Sequence, residues 1–150
     1  MRALAAAAAV LSTGLACAGR EPGPAALDTK NEVCRSCRMP VSDPLLSAQL
    51  VAPGEEPRFF DDLGCLRDSL IQSPAVRGSV AYVADHRTGG WVRAGRAVYM
   101  RCPSIETPMG SHLVAHSDAA SRAADPAARG GALVVPREIF GPSGPPGGEP

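Results

Sequence analysis

The sequence predicts an α+β fold made of two tandem, pseudo-symmetric repeats of the form strand-strand-helix-strand. Three observations lead there. Short β-branched and aromatic runs alternate with turn signals and two short helical stretches. The order strand, strand, helix, strand occurs once in each half of the chain. Gln49-Leu50-Val51-Ala52 is echoed by His112-Leu113-Val114-Ala115, each with a short helix after it. Paired repeats of this kind can form one site from facing ends.

The first segment, residues 1–16, reads as an export signal: Met1-Arg2 is a positive start and an apolar run follows to Leu11. That run is too short for a transmembrane helix, which needs roughly 20 apolar residues. A small residue directly before Cys17 resembles the bacterial lipoprotein cleavage site, with Gly14 where that site usually has leucine. Cys17 is then the lipid attachment residue, and several acyl chains on it would anchor the protein stably to the membrane. The expected location is the periplasm, lipid-anchored. Residues 17–30 contain Pro22-Gly23-Pro24 and no apolar periodicity, as expected of a flexible tether.

The first repeat is expected over residues 31–88. Residues 47–52 read as a strand, 58–60 as its partner across a Pro-Gly turn, and 79–84 as a third strand. Between them lies a helix, with Asp61 or Asp62 as its cap and Leu63, Leu66 and Leu70 forming one buried stripe. The second repeat, over residues 89–136, offers strands at 96–100, 111–115 and 132–135. Its helix is expected after a Ser117 cap. Residues 137–150 are Gly- and Pro-rich and read as a disordered tail.

Composition narrows the function. Basic and acidic residues balance at 15 each, which removes the electrostatic footprint of a nucleic-acid binder. No Ser-His-Asp constellation, catalytic carboxylate pair or phosphate-binding glycine loop stands out, so an enzyme is not expected. What does stand out is sulfur: Cys34-Arg35-Ser36-Cys37-Arg38-Met39 puts two thiols and a thioether within six residues. Met39 and Met109 both sit beside Pro or Gly, in turn sequence more than core sequence.

A Cys-x-x-Cys pair is common to zinc sites, redox dithiols and disulfides. A zinc site of the finger type would want a second close pair, yet Cys65 and Cys102 stand far apart. A thioredoxin-type centre would open a helix, yet turn signals at Pro40 and Asp43-Pro44 follow. Soft sulfur donors suit Cu(I) best, and thioethers do not oxidise to disulfides outside the cytoplasm. The expected metal ligands are Cys34, Cys37, Met39 and Met109. Cys65 lies at a helix start, where the dipole favours a thiolate, but reads first as a small buried thiol. His86, His112 and His116 are further candidates for a nitrogen ligand, and Cys102 has no evident partner. The alternative reading is an exported thiol or disulfide protein without metal.

Five separated segments occur in a characteristic order: Cys37-Arg38-Met39; Phe60-Asp61-Asp62-Leu63-Gly64-Cys65; Tyr82-Val83-Ala84-Asp85 leading to Thr88-Gly89-Gly90-Trp91; Ala97-Val98-Tyr99; and Thr107-Pro108-Met109-Gly110-Ser111. As a set, spanning about residues 31–135, they resemble the NosL family, the lipoprotein copper chaperones of nitrous oxide reductase. The resemblance implies a periplasmic Cu(I) chaperone of tandem repeats, with nitrous oxide reductase or another copper enzyme as its client. It implies copper held by Cys37 and Met39 and completed by Met109, with Cys34 an extra thiol that either binds copper or pairs with Cys37.

Overall fold

The computed structural model describes residues 21–147; the expected export signal, Cys17 and residues 148–150 lie outside the described part. The described residues form an α+β fold with two small antiparallel sheets and three helices. The first sheet contains β1 (Ala48–Val51), β2 (Arg58–Phe60), β3 (Val80–Ala84) and β4 (Trp91–Arg93) in the order β2-β1-β3-β4. Helix α1 (Leu63–Gln72) connects β2 to β3. After a 3-10 turn at Ala94–Arg96, β5 (Val98–Arg101), β6 (Leu113–His116) and β7 (Ala132–Val134) form the second sheet in the order β6-β5-β7. Helix α2 (Ala119–Ala123) connects β6 to β7, and α3 (Pro136–Phe140) ends the regular structure.

Alternation along the strands separates two faces. Ala48 and Leu50 of β1 join Ala81 and Val83 of β3 in the main core, together with Phe59, Phe60, Leu63, Leu66, Tyr99 and Leu113. This core therefore draws on both sheets. Gln49 and Val51 point the other way, opposite Tyr82 and Val80 in the β1–β3 register. Helix α1 begins where Asp62 accepts from the Gly64 amide at 2.6 Å, buries Leu63 and Leu66, and stops at Ser73 just before Pro74.

One carboxylate ties the two sheets together. Asp85 follows β3 and forms an isolated parallel bridge with Ala115 of β6. Its Oδ1 accepts from the amides of Arg87 (2.9 Å) and Thr88 (3.1 Å), and its Oδ2 from the Ser117 amide and the Ser121 hydroxyl, both at 2.7 Å. Burial alone would raise this carboxyl; the hydroxyl and amide donors outweigh it and hold Asp85 well below the usual carboxylate range.

Several expectations change. The described part of the expected tether is pinned across the first sheet: Gln49 exchanges two hydrogen bonds with the Ala25 backbone, and the Tyr82 hydroxyl donates to the Pro22 carbonyl. Gln49 is fully buried, and a buried amide requires such partners. The expected disordered tail is folded as far as residue 147. Ile139 enters the main core, Phe140 packs edge-on against Tyr99 with centroids 5.7 Å apart, and the Ala81 amide donates to the Pro146 carbonyl at 3.0 Å. Gly147 lies so close to β3 that a Cβ there would stand 2.8 Å from Val80 Cγ1, and its φ of +74° also favours glycine. Strand β4, which short apolar length hid from the sequence, pairs with β3, so a boundary between residues 88 and 89 divides a sheet. Asp118, and not Ser117, caps α2, accepting from the Ser121 amide at 2.7 Å. The local echo also joins unlike strands, for Gln49–Ala52 falls on central β1 and His112–Ala115 on edge strand β6.

Candidate metal centre

The site grows from three short segments. In the first, residues 32–41 fold back on themselves: Val33 bridges Pro40, and the Val41 amide donates to the Glu32 carbonyl at 3.0 Å. Inside this loop the Cys34 amide donates to the Met39 carbonyl (2.8 Å) and the Arg38 amide to the Cys34 carbonyl (3.1 Å). Closing so tight a turn puts Arg38 at φ +68°, in the left-handed region. The Arg35 amide donates to the Phe59 carbonyl at 2.8 Å and docks the loop onto β2. Cys34 is thereby fully buried and Cys37 partly so.

The second segment is the passage from β2 into α1. Asp61 and Asp62 lie between the two elements, and Cys65 occupies the first turn of the helix. This brings one ligand atom each from Cys34, Cys37, Asp61 and Cys65 within 4.8 Å of one another. All four described cysteines are free thiols. The Cys37 thiol donates to Asp61 Oδ2 at 3.1 Å, whereas Asp61 Oδ1 is buried with no hydrogen-bond partner among the described residues. A buried carboxylate oxygen among thiols and without a donor is costly on its own, and a bound cation would satisfy it.

The third segment is the loop between β5 and β6. The Met109 amide donates to Asp62 Oδ2 at 3.0 Å, the Gly110 amide to the Thr107 carbonyl at 2.9 Å, and the His112 amide to the Thr107 hydroxyl at 3.1 Å. Burial would raise the Asp62 carboxyl, but the Ser111 and Thr107 hydroxyls and the Gly64 and Met109 amides lower it below its ordinary value. The approach is close: a Cβ on Gly64 would stand 3.0 Å from Ser111 Cβ. Between this loop and α1 lies a cavity of about 400 Å³ whose walls include Cys37, Cys65, Met109, Arg67 and Arg101.

This environment favours the protonated form of Cys37 and Cys65. Burial pushes Cys37 up to about 11; the Met39 amide lowers it, and the neighbouring Asp61 and Cys34 raise it further. Cys65 is raised more strongly, by burial first and then by the neighbouring Asp61 and Cys34. A metal ion must displace these protons to bind.

The four residues expected as ligands therefore fare differently. Cys34 and Cys37 lie together in the cluster, and Met109 lies on the wall of the cavity that Cys37 opens onto, with 51% of its surface exposed. Met39 is 45% exposed and outside the lining of that cavity; its backbone carbonyl serves the loop. Asp61, a cap candidate in the sequence, and Cys65, a small buried thiol there, both join the cluster. The usable signal was Asp61-x-x-x-Cys65 across a helix start. His112 is a loop residue at φ +55°, its Nδ1 2.8 Å from the Ile105 carbonyl. Cys102 belongs to a different apolar cluster, with Leu46, Met100, Val114 and Ala128. His86 and His116 converge on Asp125 and share no residue with the thiol cluster. No protein-family model, curated protein or solved structure matches this chain.

Proposed function

We propose that the chain is a Cu(I)-binding metallochaperone of the NosL kind, exported, anchored through Cys17 to a membrane and delivering copper to nitrous oxide reductase or another copper enzyme. The observation that supports metal binding most directly is Asp61 Oδ1, buried and unpartnered beside three free thiols. A set of three sulfurs favours a soft ion, and Cu(I) accepts two or three such ligands. Copper here is cargo. Met109 is half exposed at the wall of the thiol-lined cavity, which supports a role for its thioether in taking copper reversibly and handing it on.

The protonated thiols fit delivery as well. Copper bound there competes with protons at Cys37 and Cys65, so returning protons assists release to an acceptor. A redox dithiol would call for thiolates stabilised by their surroundings, the opposite of the shift at Cys37. The pseudo-symmetric repeat belongs to the same reading. Its support is that β2-β1-β3 and β6-β5-β7 share one antiparallel order, each with its helix before the last strand.

Anaerobic titration of the reduced chain with cuprous ion, against a chromophoric Cu(I) chelator, tests the proposal. One tightly held Cu(I) per chain is expected, lost in Cys37→Ser. A chain that leaves all the copper with a weak chelator would sink it.

A further inference from the structure

A second cluster lies where the two sheets meet. His86 follows the bridge residue Asp85, and its amide donates to the Ala115 carbonyl at 2.8 Å, which fixes its backbone on β6. His116 is the last residue of β6 and is fully buried. Asp125 follows α2, its amide donating to the Arg122 carbonyl and its Oδ1 accepting from the Ala127 amide at 3.0 Å. That leaves Asp125 Oδ2 facing both rings, with His86 Nδ1 at 2.6 Å and His116 Nε2 at 2.9 Å.

We propose that His86 Nδ1, His116 Nε2 and Asp125 Oδ2 form a site for a divalent cation of the zinc type, separate from the thiol cluster. Two imidazole nitrogens and one carboxylate oxygen are borderline donors: too hard to favour Cu(I), too rich in nitrogen for Mg²⁺ or Ca²⁺. Three protein ligands with a fourth position left to water is a common zinc arrangement. The three donor atoms already lie within 4.8 Å of one another. A tetrahedral ion with bonds of about 2.0–2.2 Å needs its donors about 3.3–3.5 Å apart, so each ring has to retreat by less than about 1 Å.

Two features separate this cluster from an ordinary buried hydrogen-bond network. His116 Nδ1 is buried without a hydrogen-bond partner among the described residues, although buried ring nitrogens are normally satisfied. The described hydrogen bond that orients the His116 ring is thus the one directed at the meeting point with His86. The surroundings are also fixed and do not compete for that point. Asp85 is saturated by the donors of Arg87, Thr88, Ser117 and Ser121, and the Arg87 guanidinium bonds the Ser121 hydroxyl through Nε at 3.2 Å. His86, with 13% of its side chain exposed, is the side open to solvent.

On coordination the metal takes the place of the protons between the two ring nitrogens and Asp125, those protons are released, and the carboxylate turns from them to the metal. The two sites would then sort metals by donor hardness, Cu(I) on sulfur and a divalent ion on nitrogen and oxygen. The inference does not depend on the copper reading.

The test is zinc titration of the full, reduced chain followed by NMR of the histidine ring nitrogens. Zn²⁺ added beyond what the thiols take is expected to shift His86 Nδ1 and His116 Nε2 while His112 stays in place. Asp125→Asn and His86→Gln should each bind one zinc fewer per chain than the unaltered protein, whatever the thiols take, or bind it about tenfold or more weakly. If excess Zn²⁺ leaves both ring resonances unmoved, the cluster is a hydrogen-bond network only and the proposal falls. That readout uses the unaltered chain, so a variant that fails to fold does not blunt it.

Discussion

The Met109 amide donates to Asp62 Oδ2 at 3.0 Å across 47 residues of sequence. Asp62 is at the same time the cap of α1, and its neighbour Asp61 takes the Cys37 thiol. Two adjacent carboxylates thus hold the two halves of the candidate copper site on one helix start.

Asp62→Ala removes the cap and the Met109 anchor together. It should destabilise the chain by about 2–4 kcal/mol, combining a lost helix cap with lost hydrogen bonds to a charged acceptor. Chemical denaturation measures this. Met109→Ala should weaken Cu(I) binding in the parent but add little in the Asp62→Ala background, because the loop is already released. Equal effects in both backgrounds would show that Asp62 does not position Met109.

Asp61→Asn keeps the shape and removes the buried charge. Stability of the metal-free chain should stay level or rise, since Oδ1 has no donor to lose. Cu(I) affinity should fall by about tenfold or more, as the bound cation loses the unpartnered carboxylate oxygen beside it. A purely structural Asp61 would give the reverse pattern, with stability lost and affinity kept.

Cys65→Ser should lower Cu(I) affinity as Cys37→Ser does, and Cys102→Ser should leave it unchanged. Cys65 belongs to the thiol cluster, whereas Cys102 Sγ lies 3.9 Å from the Ala128 carbonyl in a separate apolar cluster. Competition against a Cu(I) chelator at fixed pH separates the three.

Copper affinity should rise with pH. Cys37 stays protonated until about pH 11, so each thiol proton displaced by the metal gives about a tenfold gain per pH unit across the neutral range. Proton release on copper addition, followed in weak buffer, counts them. The metal-free chain shows the companion effect. Because the folded value lies above the ordinary 9.0, the protonated thiol is favoured by folding; its contribution is whole below about pH 9 and lost as pH rises to about 11. Denaturation midpoints at pH 8 and pH 11 should therefore differ, and Cys37→Ser should reduce the difference.

Much of the local structure was legible. Strand β2 falls on residues 58–60, and of the stripe expected from Leu63, Leu66 and Leu70 the first two are buried and Leu70 partly so. Turn residues, caps and apolar period act over a few positions, so they can be read from neighbours alone. Strand β4 and the folded tail could not be read that way. Trp91–Arg93 is held by register with β3, and residues 141–147 by contacts such as Ala81 to Pro146, both of which depend on surfaces formed elsewhere in the chain.

The same division runs through the candidate site. Sequence by itself determined which donors exist: the sulfur-rich run from Cys34 to Met39, the Asp61–Cys65 helix start and the turn holding Met109. Tertiary structure decided which of them meet. It turned Cys65 from a packing thiol into a neighbour of Cys34 and Cys37, left Asp61 Oδ1 buried without a donor, and placed Met39 outside the cavity while Met109 lines it. The reason is physical: ligand grouping depends on side-chain direction and burial, which here follow from docking the Cys34–Cys37 loop onto β2 and the Met109 loop onto Asp62.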